Sequence, residues 1–181
     1  MRLIRPGGQP GATVPGPSAP GGFYAYEALL ARSIASTQVL LGRRACFLAE
    51  PFDEAMPRMQ DWELVLRLAQ KYRVYYLPEV LADVYLQPDS LTLRVDKGLL
   101  AYRRLYHRHG EAIEKNPAIK GLHIALEGHL RLQAGENPAA FYARSLSPRY
   151  GFLANAKFFL KMLLAAAGLL PRLSPPPGGR R

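Results

Sequence analysis

The prolines and glycines of this chain are spread unevenly, and their placement decides where a core can form. Of 181 residues, 16 are proline and 16 glycine. They crowd the two ends, as RPGGQPGATVPGPSAPGG from Arg5 to Gly22 and PRLSPPPGGRR from Pro171 to Arg181. Proline removes backbone donors, glycine adds chain entropy, and neither segment has the apolar surface to offset that entropy. The expectation is a disordered Pro/Gly-rich segment over 1–22 and a disordered basic tail over 171–181. A folded body then runs from about Phe23 to Leu170, and a hydrophobic fraction of 49% can give it a core.

Within that body the hydrophobic period changes once. Before Asp96 it is mixed. FYAYEALLARSIA places Tyr26, Leu29, Leu30 and Ile34 on one helical side, and STQVLLG reads as a short β-branched strand. RRACFLAEPFDEAMPR reads as a short helix and a loop, because Pro51 and Pro57 both break regular structure. A helix opened by Asp61 follows, with Trp62, Val65, Leu66 and Ala69 on one stripe and Glu63 and Arg67 paired on the outer side. RVYYLP and VLADVYLQ read as two more strands.

From Asp96 onward the period is helical. DKGLLAYRRLYHRHG and AIKGLHIALEGHLRLQAG each stop at a glycine, and NPAAFYARSL begins with a capping Asn and a first-turn Pro. His107 and His109, two residues apart, belong to a solvated face, and no metal ligand is assigned. The segment GHLRLQAGENPAAFYARSLSPRYG resembles a single tetratricopeptide-type helical hairpin. The fold class expected is an α/β front over 23–95, a short mixed sheet with helices, followed by an all-α extension over 96–170.

A formal net charge of +10 favours an anionic partner. The basic residues are scattered, and no nucleic-acid fingerprint accompanies them, so nucleic acid is not expected. The single Cys46 excludes an internal disulfide and fits a reducing compartment. The basic start lacks an apolar stretch, so a secretory signal is not expected. GFLANAKFFLKMLLAAAGLL is long enough to span a bilayer, but Lys157 and Lys161 lie one turn apart within it. The reading of 152–170 is an interfacial helix on an anionic membrane surface, or one packed on its own domain.

The most patterned stretch is STQVLLGRRACFLAEPFDEAMPRMQDWELVLRLAQKYRVYYLPEVLADVYLQPDSLT, under half of the chain. It holds Leu40-Leu41-Gly42-Arg43-Arg44, Phe52-Asp53-Glu54, Gln60-Asp61-Trp62, Leu66-Arg67-Leu68-Ala69, Tyr75-Tyr76-Leu77-Pro78 and Ser90-Leu91-Thr92 in that order. In order and spacing it resembles the acceptor-side half of a family 2 glycosyltransferase domain. The resemblance implies a partial GT-A fold over 23–95. It also implies transfer of a sugar from a nucleotide-sugar donor to a glycan or lipid-linked acceptor hydroxyl, with inversion. In that family a carboxylate takes the proton of the attacking hydroxyl, and Asp61 stands at the matching position as general base. Gln60 and Trp62, on either side, are implied as substrate-binding residues.

The departures from the family pattern are specific. Gln60 stands where an acidic residue is usual, Glu50-Pro51 replaces two small residues before Phe52, and Gln87 replaces a His near the end of the block. No Asp-x-Asp occurs in the 181 residues. No cofactor is therefore expected on this chain. The family implies Mg²⁺ or Mn²⁺ only where a donor-binding half is present, and the expectation is that this chain is a fragment lacking that half, with a companion N-terminal half as partner. The alternative is a non-catalytic helical interaction or membrane-docking module on a remnant transferase fold. Either reading places the protein in the cytoplasm, peripheral at the membrane.

Overall fold

The computed structural model describes residues 1–4, 8–14, 19–85, 95–144, 159–160, 163–164 and 167. Ser90-Leu91-Thr92, Gln87, the basic tail and most of the segment 152–170, expected to be a helix, lie outside them. The chain forms two compact units, Met1–Leu93 and Arg94–Arg181.

The first unit is mixed α/β. Its elements are β1 (Arg2–Ile4), β2 (Pro10–Thr13), β3 (Gly22–Tyr24), α1 (Tyr26–Ala31), a 3₁₀ turn (Thr37–Val39), α2 (Arg44–Ala49), α3 (Gln60–Lys71), β4 (Val74–Tyr76) and β5 (Asp83–Tyr85). They make two small sheets, one ordered β2-β1-β5 and the other β3-β4. β1 runs antiparallel to β2 and parallel to β5, in register Arg2 with Asp83 and Ile4 with Tyr85. The Arg2 guanidinium closes that register by donating to both Asp83 carboxylate oxygens at 2.8 Å.

Disorder over 1–22 is thus corrected for the described part of that segment. Leu3 and Ile4 find a strand partner about eighty residues away, a long-range pairing to which local composition is blind. Two further expectations fail for the same kind of reason. Phe23 does not open the first helix; it pairs with Tyr75 across β3 and β4, ring edge to ring face at 5.0 Å, with the Arg73 guanidinium 3.8 Å from its ring centre. STQVLLG forms no strand. Thr37–Val39 instead winds into a 3₁₀ turn in which the Val39 N–H donates to the Ser36 carbonyl at 3.0 Å. β-branched content favours a strand only where a pleated partner exists to pack against.

α3 is the axis of this unit. Trp62, Glu63, Leu64, Val65 and Leu66 are all buried, a wider buried face than the predicted stripe. α1 packs on it through Leu29 and Leu30, both fully buried.

The second unit is helical, with α4 (Val95–Lys115), α5 (Pro117–Gln133) and α6 (Ala139–Arg144). α4 does not stop at Gly110. An interior glycine costs about 1 kcal/mol, which the burial of Ile113 one turn later outweighs. Leu105, His109 and Ile113 recur every four residues on one buried face, so His109 is buried and not solvated as expected; His107 is exposed. The Asn116 side chain caps α5 by accepting from the Ala118 and Ile119 N–H groups at 3.0 and 3.3 Å, with Pro117 at the first helical position. Gly135, at φ +83°, ends it. Asn137 accepts from the Ala139 N–H at 2.9 Å before α6. Gly128 lets α6 come close: a Cβ there would lie 2.9 Å from that of Phe141.

Candidate functional site

The helix carrying Asp61 begins one residue earlier than its sequence suggests. Gln60 is its first residue, and Met59 before it holds a left-handed conformation at φ 61°. For a side chain with a Cβ this conformation is uncommon and costs about 1–3 kcal/mol, so the surroundings must impose it. Asp61 is therefore not the cap. It sits in the first turn, half-buried, where its Oδ1 accepts from the Trp62 N–H at 2.8 Å. Among the described residues Oδ2 carries no hydrogen bond. A carboxylate at this end of a helix is favoured by the helix dipole.

Trp62 faces the other way. It is 6% exposed, and its indole Nε1–H donates to the Leu29 carbonyl at 2.8 Å, a buried bond between α3 and the end of α1. The ring therefore anchors α3 and has no open face for a substrate; removing such a ring costs about 3–5 kcal/mol in a packed core. Gln60 is half-buried beside them.

What sequence reasoning placed on the outside is the most heavily built part of the unit. Glu63 is only 1% exposed, and the Arg67 guanidinium, itself 14% exposed, donates to its two oxygens at 2.9 and 3.1 Å. The same guanidinium reaches the Glu50 carboxylate at 2.6 Å and the Pro51 carbonyl at 2.5 Å. Lys71 adds an ion pair to the other Glu50 oxygen. An i,i+4 Glu–Arg pair ordinarily reads as a solvated face. The available signal was Glu50, an acidic residue just before Pro51 with no helical partner of its own. Lys71 first, and then Arg67, holds the Glu50 carboxyl below its usual range. For Arg67, burial lowers the pKa, but the bonds to Glu63 and Glu50 outweigh it and the net shift is upward.

This cluster fastens the segment before Phe52 onto α3. Next along the chain Asp53 shapes a turn, its Oδ1 accepting from the Ala55 N–H at 2.9 Å and its carbonyl from the Met56 N–H at 3.0 Å. Glu54 is exposed. The turn leads through buried Met56 to the strained Met59 and so to Asp61.

An apolar groove of about 470 Å³ also lies in this unit, walled by Leu40, Phe47, Val65, Leu68, Tyr72 and Leu77. Neither Gln60, Asp61 nor Trp62 lines it. Among the described residues no group of three or more His, Cys, Asp or Glu side chains is placed to hold a metal ion. Among the described residues, no helix is long and apolar enough to cross a membrane. No family model, curated protein or solved structure matches the chain.

The cluster makes a pH-dependent contribution whose sign follows from Glu50. Its charged form is favoured in the fold, so the contribution is complete above the ordinary value of 4.5 and is lost as the pH falls through the lowered folded value. Urea midpoints of the full chain should fall as the pH drops below about 4.5, and Glu50→Gln should flatten part of that fall. Arg67→Ala, which removes the guanidinium shared by the buried Glu63 and Glu50 carboxylates, should cost about 3–5 kcal/mol, whereas the paired change Glu63→Leu with Arg67→Met should cost far less. A cost below about 1 kcal/mol for Arg67→Ala would show that the cluster does not hold the unit together.

Proposed function

We propose that the first unit serves as the acceptor-side half of an inverting, family 2-like glycosyltransferase, with Asp61 as the general base. The observation that carries this reading is the setting of Asp61. It is a half-buried carboxylate at the first turn of a helix, with one oxygen held by the next backbone N–H and the other without a bond among the described residues. In the reaction the acceptor hydroxyl gives its proton to that carboxylate as its oxygen bonds to the anomeric carbon. The bond from that carbon to the nucleoside diphosphate breaks, and the leaving oxygen keeps the electron pair. A base contributes in this way only when it is held within hydrogen-bond reach of the proton, and the Trp62–Leu29 bond and the Glu50–Arg67–Glu63 cluster supply that rigidity. Trp62 enters as a positioning residue and not as a sugar platform. The donor-binding carboxylates would come from a companion half, and the likeness to the GT-A fold belongs to this proposal.

A second reading has its own observation. Phe159, Leu160 and Leu163 are all exposed helical residues in the second unit, which suits a surface that docks on a membrane or a partner. Replacing the three by serine should then abolish co-sedimentation of the chain with anionic vesicles, and equal sedimentation before and after would remove the membrane role.

For the transferase, Asp61→Asn keeps the shape and the Trp62 bond but removes the proton acceptor. In a complete enzyme containing this half, turnover should fall by about 10² or more with acceptor binding little changed. Near-normal turnover in the Asn variant would leave Asp61 a structural residue of the helix start.

A further inference from the structure

The helical unit contains a cleft of about 370 Å³ between α4, α5 and the last residue of α6, within the range of about 300–1,000 Å³ usual for small-molecule sites. Its charges are not evenly committed. Glu114 is engaged twice, by Lys120 at 2.6 Å and by the Tyr106 hydroxyl, and Glu127 is clasped by Arg131 at 2.9 and 3.1 Å. Lys120, then Tyr106, holds the Glu114 carboxyl below its usual range. Burial first, and then the bond to Glu114, pushes the Tyr106 phenol up to about 12, so it stays neutral across the ordinary pH range. Two cations remain. Arg103 and Arg144 both line the cleft and, among the described residues, form no ion pair, although Arg144 lies 5.7 Å from the Phe141 ring centre and its charge helps to lower the Glu114 carboxyl.

We propose that this cleft binds a phosphate monoester, with Arg103 and Arg144 taking the phosphate oxygens and the Tyr106 ring and Ile124 flanking the organic part. A guanidinium matches two phosphate oxygens with two parallel N–H donors, and two from different helices can take three oxygens without sharing. The aromatic wall is firm, because the Tyr102 ring stacks on His123 at 5.9 Å and its hydroxyl donates to the His123 carbonyl at 3.1 Å. The overall charge of +10 raises the local concentration of such a ligand. This inference is independent of the transferase reading, since its residues all lie in the second unit.

Glycerol 3-phosphate is the soluble probe, and vesicles containing phosphatidic acid present the same monoester on a lipid. The full chain should bind glycerol 3-phosphate saturably, followed by calorimetry and by the arginine Nε–H signals. R103Q and R144Q, both at exposed positions, should each weaken binding and together weaken it about tenfold or more. R104Q, on the same helix but outside the cleft, should leave it unchanged. Vesicle binding that depends on the same two arginines and is displaced by glycerol 3-phosphate would identify the source as a lipid headgroup. Soluble binding without vesicle binding would identify a free phosphate ester. Absence of saturable binding to either probe overturns the proposal, as does a loss in R104Q equal to that in the double variant.

Discussion

Arg67 stands between two carboxylates, Glu63 and Glu50, that the fold takes largely out of water. Removing charges from water is costly, and the cost is offset here by one guanidinium that bonds both carboxylates and the Pro51 carbonyl, with Lys71 on the other Glu50 oxygen. That requirement reaches along the chain. It sets where the end of α2 meets α3, and so where the loop from Pro51 to Met59 starts and finishes. A short loop tied at both ends has little freedom, and Met59 takes up the remainder in a conformation it would not otherwise adopt. The position of Asp61 is the end of this sequence of constraints.

Trp62 completes the arrangement from the opposite side. Its indole bond to the Leu29 carbonyl satisfies a backbone acceptor near the end of α1 that burial would otherwise leave unpaired. The first turn of α3 is thus held by an ionic cluster on one flank and an aromatic anchor on another. A carboxylate placed there keeps one geometry, which a general base needs and a mobile loop does not supply.

Much of this was legible in the sequence, and the misses share a cause. The apolar repeat of α3, the short strands Val74–Tyr76 and Asp83–Tyr85, and the helical back follow from local periodicity. So do the stop at Gly135 and the side-chain bond from Asn137. What local pattern missed depends on partners distant in sequence. Glu63 and Arg67 form the same i,i+4 pair whether solvated or buried, and only Glu50, seventeen residues from Arg67, makes the difference. β1 pairs with β5 across most of the unit, and Phe23 leaves a helical pattern for Tyr75. His109 is drawn inward by the Leu105–Ile113 face to which it belongs. At the candidate site Asp61 could be named from the sequence but the bonds that hold its helix could not, and Trp62, expected to touch substrate, is an anchor for the same reason.

The central claim is that the first turn of α3 is rigid, with Asp61 upon it. Hydrogen exchange at the Trp62 indole N–H tests it most directly, because Trp62 is the only tryptophan and its signal needs no further assignment. The account predicts protection of at least about 10³-fold over a free indole, corresponding to an opening free energy of about 4 kcal/mol, with a marked loss of protection in Arg67→Ala. Exchange near the free-indole rate in the intact chain would mean that the Leu29 bond opens freely, and it would contradict the account.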